Sequence, residues 1–138
     1  NEWLNKAYVA IEELKKYYNG VYYNSMQEVL ETKQEYDVIL VPNIIEHLQN
    51  PGTMVRQLFE IKFKQLFILV PNYIVSNQAN YDGEIFTEKI HPDHYAWYSP
   101  YTLFNLLKKP MEEINAGCEM NFFDNQNMIS ILITNEPK

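Results

Sequence analysis

The sequence predicts an α/β fold in which parallel strands are followed by an antiparallel hairpin. Two uninterrupted apolar segments, Val38–Val41 and Phe67–Val70, have the length and composition of buried strands. The amphipathic helical pattern of Met54–Ile61 lies between them, which is the order of a right-handed parallel crossover with helices on both faces of the sheet. Cys118–Phe123 and Met128–Thr134 flank a short polar turn and predict a hairpin, with the second strand beside the parallel pair.

Length and composition favour one globular domain spanning residues 1–138. The chain is 46% hydrophobic and 21% charged, which is typical of a folded protein with a real core. The formal charge of −7 disfavours a nucleic-acid partner and favours a small-molecule acceptor, because polyanion binding depends on Lys and Arg. Cys118 is the single cysteine, and no signal-peptide pattern or 18-residue apolar run occurs, so we expect a cytoplasmic protein and no membrane partner.

Before the first buried strand, the pattern predicts a helix and a short strand. Apolar residues recur at helical spacing from Leu4 to Tyr18, and Gly20 is typical of a helix stop. Val21–Tyr23 then has the composition of a strand that breaks at Asn24–Ser25.

A third helix is predicted near the C-terminal hairpin. Ser99 and Pro100 are typical of an N-cap and a first helical position, and we expect the helix to end at Pro110. The preceding segment, residues 72–93, has no clear periodicity and predicts a long loop over the mouth of a site. Such a loop would select the acceptor.

Three motifs in one order carry a family resemblance. The strand Val38–Val41 continues through Pro42-Asn43-Ile44-Ile45-Glu46-His47-Leu48 to an Asn-Pro pair, the second strand ends in Val70-Pro71-Asn72, and His94-Tyr95-Ala96-Trp97-Tyr98-Ser99-Pro100 follows. Together these motifs resemble the class I S-adenosylmethionine-dependent methyltransferases over most of residues 36–107. They are most similar to the subset that acts on sugars, quinones and related small molecules, while the small-RNA 2′-O-methyltransferases share the Glu-His pair and a later histidine.

The resemblance implies S-adenosylmethionine as cofactor and a Rossmann-like methyltransferase sheet. It suggests cofactor contacts at Asn24, Ser25 and Met26 and at the strand end, Val41, Pro42 and Asn43. The alternative for Asn24 and Ser25 is an ordinary turn that caps the next helix.

Glu46, His47 and His94 are the candidate catalytic residues. Polar groups that follow a buried strand lie where open α/β sheets bind ligands, and a histidine can act as a general base near neutral pH. A carboxylate with two imidazoles also suits a divalent metal, but Asn43 stands where the resembling metal-binding members have a further Glu. The alternative is structural, with Glu46 and His47 bracing the loop and His94 packed among aromatic residues.

The chain has no Gly-x-Gly turn, since Gly20, Gly52, Gly83 and Gly117 are widely separated. We therefore expect the Gly-rich strand unit of the resembling family to lie before Asn1, or another chain to complete the sheet. A third alternative is a rearranged sheet in which Val21–Tyr23 pairs directly with Val38–Val41.

The sequence leaves three functions open. The first is methyl transfer to an oxygen of a sugar or related metabolite. The second is a non-catalytic, methyltransferase-like module that binds a partner protein. The third is methylation of an RNA 2′-hydroxyl, which the acidic charge disfavours.

Overall fold

The computed structural model describes residues 9–10, 12–73 and 94–135. Its helices and strands follow in the order α1 (Met26–Thr32), β1 (Glu35–Pro42), a 3₁₀ turn (Ile45–His47), α2 (Pro51–Glu60), β2 (Lys62–Pro71), α3 (Pro100–Glu113), β3 (Gly117–Phe123) and β4 (Met128–Thr134). The strands form one sheet in the order β1-β2-β4-β3. None of the helices in these ranges is both long enough and apolar enough to cross a membrane.

The parallel crossover unit is present as predicted. β1 and β2 pair in parallel, with Leu40 opposite Phe67 and Val41 opposite Ile68, and α2 connects them. Because both strands point the same way, their carboxyl ends meet at one edge of the sheet. The predicted pairing of the two strands is confirmed.

The C-terminal hairpin is also confirmed. β4 pairs antiparallel with both β2 and β3, and its bounds are those predicted from the sequence. The turn places Asp124, Asn125 and Gln126 in the left-handed region, with φ of 53°, 53° and 67°. Asp and Asn tolerate this conformation better than most residues, which explains why a turn without glycine closes the hairpin.

The hydrophobic core lies on one face of the sheet. Val41, Ile68 and Ile131 are register neighbours on that face, and they pack in one buried cluster with Leu58 of α2 and Leu107 of α3. Each such side chain stabilises the fold by roughly 1.5–3 kcal/mol through burial.

The opposite face of the sheet is open at β1 in the described residues, where the expectation was helices on both faces. On this face, Leu40 of β1 lies opposite Phe67 of β2, which in turn lies opposite Leu132 of β4. Leu40 is 65% exposed, whereas Phe67 and Leu132 are half-buried. β1 is also an edge strand of the described sheet, so its outer edge is open to pairing with a further strand.

α3 begins as predicted but ends later. Ser99 is its N-cap, and a capping box joins the Ser99 and Thr102 side chains to each other's backbone N–H groups. The expected stop at Pro110 is wrong, since the helix continues to Glu113. An interior proline lacks an N–H donor and crowds the preceding turn, but the buried Met111 that directly follows Pro110 stabilises the continuation.

Val21–Tyr23 is not a strand, which corrects both that prediction and the alternative of direct pairing with β1. Residues 9–10 and 12–15 are helical, and the chain then folds back locally. The Tyr22 hydroxyl donates to the Tyr18 carbonyl at 3.2 Å, and the Lys15 Nζ lies 5.4 Å from the centre of the Tyr22 ring. These local contacts hold Tyr22 beside the helix end. The N-terminal part of the predicted helix and the loop after Tyr73 lie outside the described residues.

Candidate functional site

The site begins where β1 ends. Asn43 adopts a left-handed φ of 54°, and its N–H donates to the Leu69 carbonyl of β2 at 2.8 Å. This turn leads directly into the 3₁₀ turn, which places Glu46 and His47 inside the protein with 1% and 9% of their surfaces exposed. The abrupt end of an apolar strand therefore buries two polar side chains at the carboxyl edge of the sheet.

A second segment, residues 94–98, closes over this turn. The backbone N–H groups of Tyr95 and Ala96 both donate to the Glu46 carbonyl, at 2.8 Å and 3.3 Å. This contact brings the His94 ring to 4.6 Å from the His47 ring, measured between centroids, with the planes perpendicular. The predicted convergence of Glu46, His47 and His94 is observed, whereas their catalytic role stays a prediction.

Glu46 is electrostatically unusual. Its Oε1 lies 3.5 Å from His47 Nε2, but within the described part of the chain neither carboxylate oxygen accepts a hydrogen bond. Burial raises the pKa of Glu46 to about 7, and its own backbone N–H opposes this effect only in part. Burial, together with the charge of Glu46, raises the pKa of Tyr98 to about 12. The carboxyl group can thus gain or lose a proton near neutral pH.

Asn72 is a buried polar residue that sequence reasoning did not select for the site. It follows β2, and its backbone N–H and side-chain Nδ2 donate to the carbonyls of Asn127 and Gln126, at 2.7 Å and 2.9 Å. Asn72 also forms an isolated parallel bridge with Tyr98, and the Tyr73 N–H donates to the Tyr98 carbonyl at 2.9 Å. Asn72 therefore ties the hairpin turn to the segment that carries His94. The position of Asn72 directly after a buried strand was the feature of the sequence that could have indicated its place in the site.

The residues expected to contact a cofactor lie in two places, at the start of α1 and at the end of β1. Ser25 caps α1 by accepting from the Glu28 N–H at 3.2 Å, and the Asn24 N–H donates to the Glu28 carboxylate at 2.8 Å. Asn24 and Ser25 therefore cap the helix, as the alternative interpretation predicted. Met26 packs against the core. Cofactor contact by these three residues stays a prediction.

At the other expected position, the end of β1, the side chains differ in exposure. Val41 belongs to the core, so only its backbone is available there, whereas Pro42 and Asn43 are exposed. Cofactor contact by these residues also stays a prediction.

Across the described residues, no group of three or more His, Cys, Asp or Glu side chains is arranged to hold a metal ion. Asn43, at the position of the further Glu in metal-binding members, is exposed rather than turned inward with Glu46. A divalent metal beside Glu46 and the two histidines stays a prediction.

The aromatic cluster beside His94 divides into buried and exposed members. Tyr98 is buried, whereas Tyr95, Trp97 and Tyr101 are exposed by 48%, 37% and 76%. Only part of the cluster is therefore core.

Comparison with known proteins supports the fold. A chain of the Pnkp1/Rnl/Hen1 RNA repair complex superposes with a TM-score of 0.67 at 13% identity, over 97% of this chain and 30% of that chain. The small RNA methyltransferase HEN1 gives a TM-score of 0.61 at 16% identity, over 82% of this chain and 16% of that chain. A further Pnkp1/Rnl/Hen1 structure gives 0.67 at 13% identity, over 95% and 29% of the two chains. No family model matches the sequence, and no curated protein does.

The chain has a methyltransferase-like fold. At these identities the likeness concerns the fold, and the chain spans less than a third of the length of each of these structures. From the sequence we expected a small-molecule acceptor and considered a nucleic-acid partner unfavourable. This expectation is contradicted, since the similar structures are an RNA methyltransferase and RNA repair complexes. The expectation was wrong because it used the net charge of the whole chain, whereas RNA binding depends on where the contacting groups lie.

Proposed function

We propose that this chain forms part of an S-adenosylmethionine-dependent methyltransferase that methylates a 2′-hydroxyl of RNA. The observation that carries the proposal is the convergence of Glu46, His47 and His94 at the carboxyl edge of the sheet. Open α/β sheets bind their ligands at this edge. The same fold occurs in the small RNA methyltransferase HEN1, which supports RNA as the acceptor.

The proposed chemistry of the chain is proton removal from the acceptor hydroxyl. A hydroxyl oxygen is a weak nucleophile until a base takes its proton, and the paired imidazoles of His47 and His94 are suitable bases near neutral pH. The Glu46 carboxylate, 3.5 Å from His47 Nε2, would stabilise the imidazolium that forms. Tyr98 would keep its hydroxyl proton, because its pKa is about 12.

S-adenosylmethionine, when bound, would supply an electrophilic methyl group. Of the residues expected to hold it, Pro42 and Asn43 fit best, because they are exposed at the end of β1 beside the open edge of the sheet. The sequence has no Gly-x-Gly turn through which a backbone could approach the cofactor closely. This chain would therefore form one side of a cofactor site.

The open edge of β1 supports the prediction that a Gly-rich strand unit pairs there. Val38 and Leu40 are 47% and 65% exposed on this strand, and an apolar edge of this kind promotes aggregation unless it is covered. We propose that the covering strand completes the cofactor site.

Methyl transfer to a small RNA tests the proposed function. The complete protein should transfer labelled methyl groups to an RNA that ends in a ribonucleotide, and the same RNA with a 2′-deoxy terminus should accept none at that position. Equal labelling of both RNAs would contradict the proposed acceptor atom. Titration with S-adenosylmethionine and S-adenosylhomocysteine gives an independent readout, since failure to bind either would contradict methyl transfer altogether.

A non-catalytic module that binds a partner is the second candidate, and the open edge of β1 favours it. A partner could add a strand to this edge. This alternative predicts binding of neither cofactor form, so the same titration separates the two functions.

A further inference from the structure

Two exposed aromatic side chains lie on the segment that closes the site. Along residues 95–98, exposure alternates: Tyr95 and Trp97 are exposed, Ala96 is half-buried and Tyr98 is buried. Tyr95 and Trp97 are therefore open to solvent, whereas Ala96 and Tyr98 pack against the core.

This pair of rings is tied to the functional side chains. The Tyr95 and Ala96 N–H groups share the Glu46 carbonyl, and the Tyr98 carbonyl accepts from the Tyr73 N–H. His94, adjacent in sequence, contacts His47. The segment that carries the two rings is thus held at both ends by backbone hydrogen bonds, and it directly follows the histidine that contacts His47.

The charge of the segment indicates which contact a nucleic acid would make here. No Lys or Arg occurs between His94 and Leu107. Ion pairs with phosphate groups therefore cannot come from this part of the chain. Base–aromatic stacking needs no charge, and exposed aromatic side chains are the usual platform for unpaired bases.

We propose that Tyr95 and Trp97 form a stacking platform for an unpaired base at the end of a single-stranded RNA. The inference rests on the proposed function, because it assigns the RNA end to the site of His47 and His94. Stacking here would place the terminal ribose beside the imidazoles. The platform would recognise a single-stranded end without selecting a particular base, since every base has a π-face.

Binding of matched oligonucleotides tests the platform without methyl transfer. Fluorescence anisotropy compares a short single-stranded RNA with the same RNA carrying an abasic terminal nucleotide. The complete protein should bind the intact RNA about 5- to 150-fold more tightly, the range expected for stacking of one base. Trp97→Ala or Tyr95→Ala should reduce this preference, and Trp97→Phe should retain part of it. Because stacking is not ionic, Trp97→Ala should leave the salt dependence of binding unchanged.

Tyr101→Ala is the matched control, since Tyr101 is an exposed aromatic residue of the same region but lies on α3. It should leave the preference for the intact RNA unchanged. Circular dichroism of each variant shows whether it is folded, and Trp97→Phe gives a folded comparison if the alanine variant is not. Equal binding of intact and abasic RNA by the wild-type protein would overturn the platform while leaving the proposed function in place. Failure to bind either RNA, with cofactor binding intact, would overturn the RNA acceptor and the platform together.

Discussion

Replacing Glu46 by Gln should make the folded protein more stable above neutral pH. The carboxyl is 1% exposed and neither of its oxygens accepts a hydrogen bond within the described part of the chain, so ionisation inside the protein is costly. Its pKa of about 7 in the folded state exceeds the ordinary value of 4.5, a difference of about 2.5 units. At 1.36 kcal/mol per unit, ionisation of this group costs about 3 kcal/mol of folding free energy.

The sign of the pH dependence follows from the raised pKa. Between the unfolded and folded pKa values the folded state binds more protons, so the contribution of Glu46 to stability falls as pH rises from 4.5 to about 7 and is constant above. The Glu46→Gln variant has no proton to lose at this position. Its advantage over the wild-type protein should therefore grow by up to about 3 kcal/mol across this range.

Urea denaturation followed by circular dichroism, at about pH 4.5 and about pH 8, measures this difference directly. Glu119→Gln is the matched control, because it makes the same change at an exposed position on β3. The control should shift the free energy of unfolding by less than about 0.5 kcal/mol at either pH. A Glu46→Gln advantage that is independent of pH, or that shrinks as pH rises, would refute the reasoning.

Three further predictions concern the site and its supports. His47→Ala and His94→Ala should each lower kcat by about 10²-fold or more and leave the dissociation constant of the cofactor nearly unchanged, as measured by kinetics and by titration. Asn72→Asp should destabilise the fold more than Asn72→Ala in urea denaturation, because it removes the buried Nδ2 donor and adds a buried charge. Ser99→Ala should cost about 1 kcal/mol by loss of the capping box, whereas Asn50→Ala should be nearly neutral, because Asn50 makes no side-chain cap hydrogen bond.

Specific results would contradict each of these expectations. If either histidine variant weakens cofactor binding as much as it lowers kcat, that histidine binds the cofactor and is not the base that accepts the proton. If Asn72→Asp is as stable as the wild-type protein, the side chain is not fixed by its hydrogen bond to the hairpin turn. If Asn50→Ala costs as much as Ser99→Ala, capping does not explain the difference between the two helix starts.

The candidate site was only partly predictable. The sequence identified Glu46, His47 and His94 as residues to be brought together, because polar side chains at the end of a buried strand and a later histidine matched a known pattern. It did not reveal that residue 46 is almost fully buried, nor that Asn72 links the hairpin to the closing segment. Both features depend on hydrogen bonds between residues far apart in the chain, such as Tyr95 N–H to the Glu46 carbonyl and Asn72 Nδ2 to the Gln126 carbonyl.

What the sequence alone determined is the set of elements with strong local patterns. The apolar runs of β1, β2 and β4, the hairpin turn and the Ser99-Pro100 helix start all follow from side-chain period and turn chemistry, which act over a few residues. The tertiary structure decided the rest. It extended α3 through Pro110 because Met111 is buried beyond it, held Tyr22 beside a helix end rather than in the sheet, and enclosed Glu46 beneath the segment that carries His94. These outcomes depend on which distant segments share a core, and the local pattern of side chains does not specify those contacts.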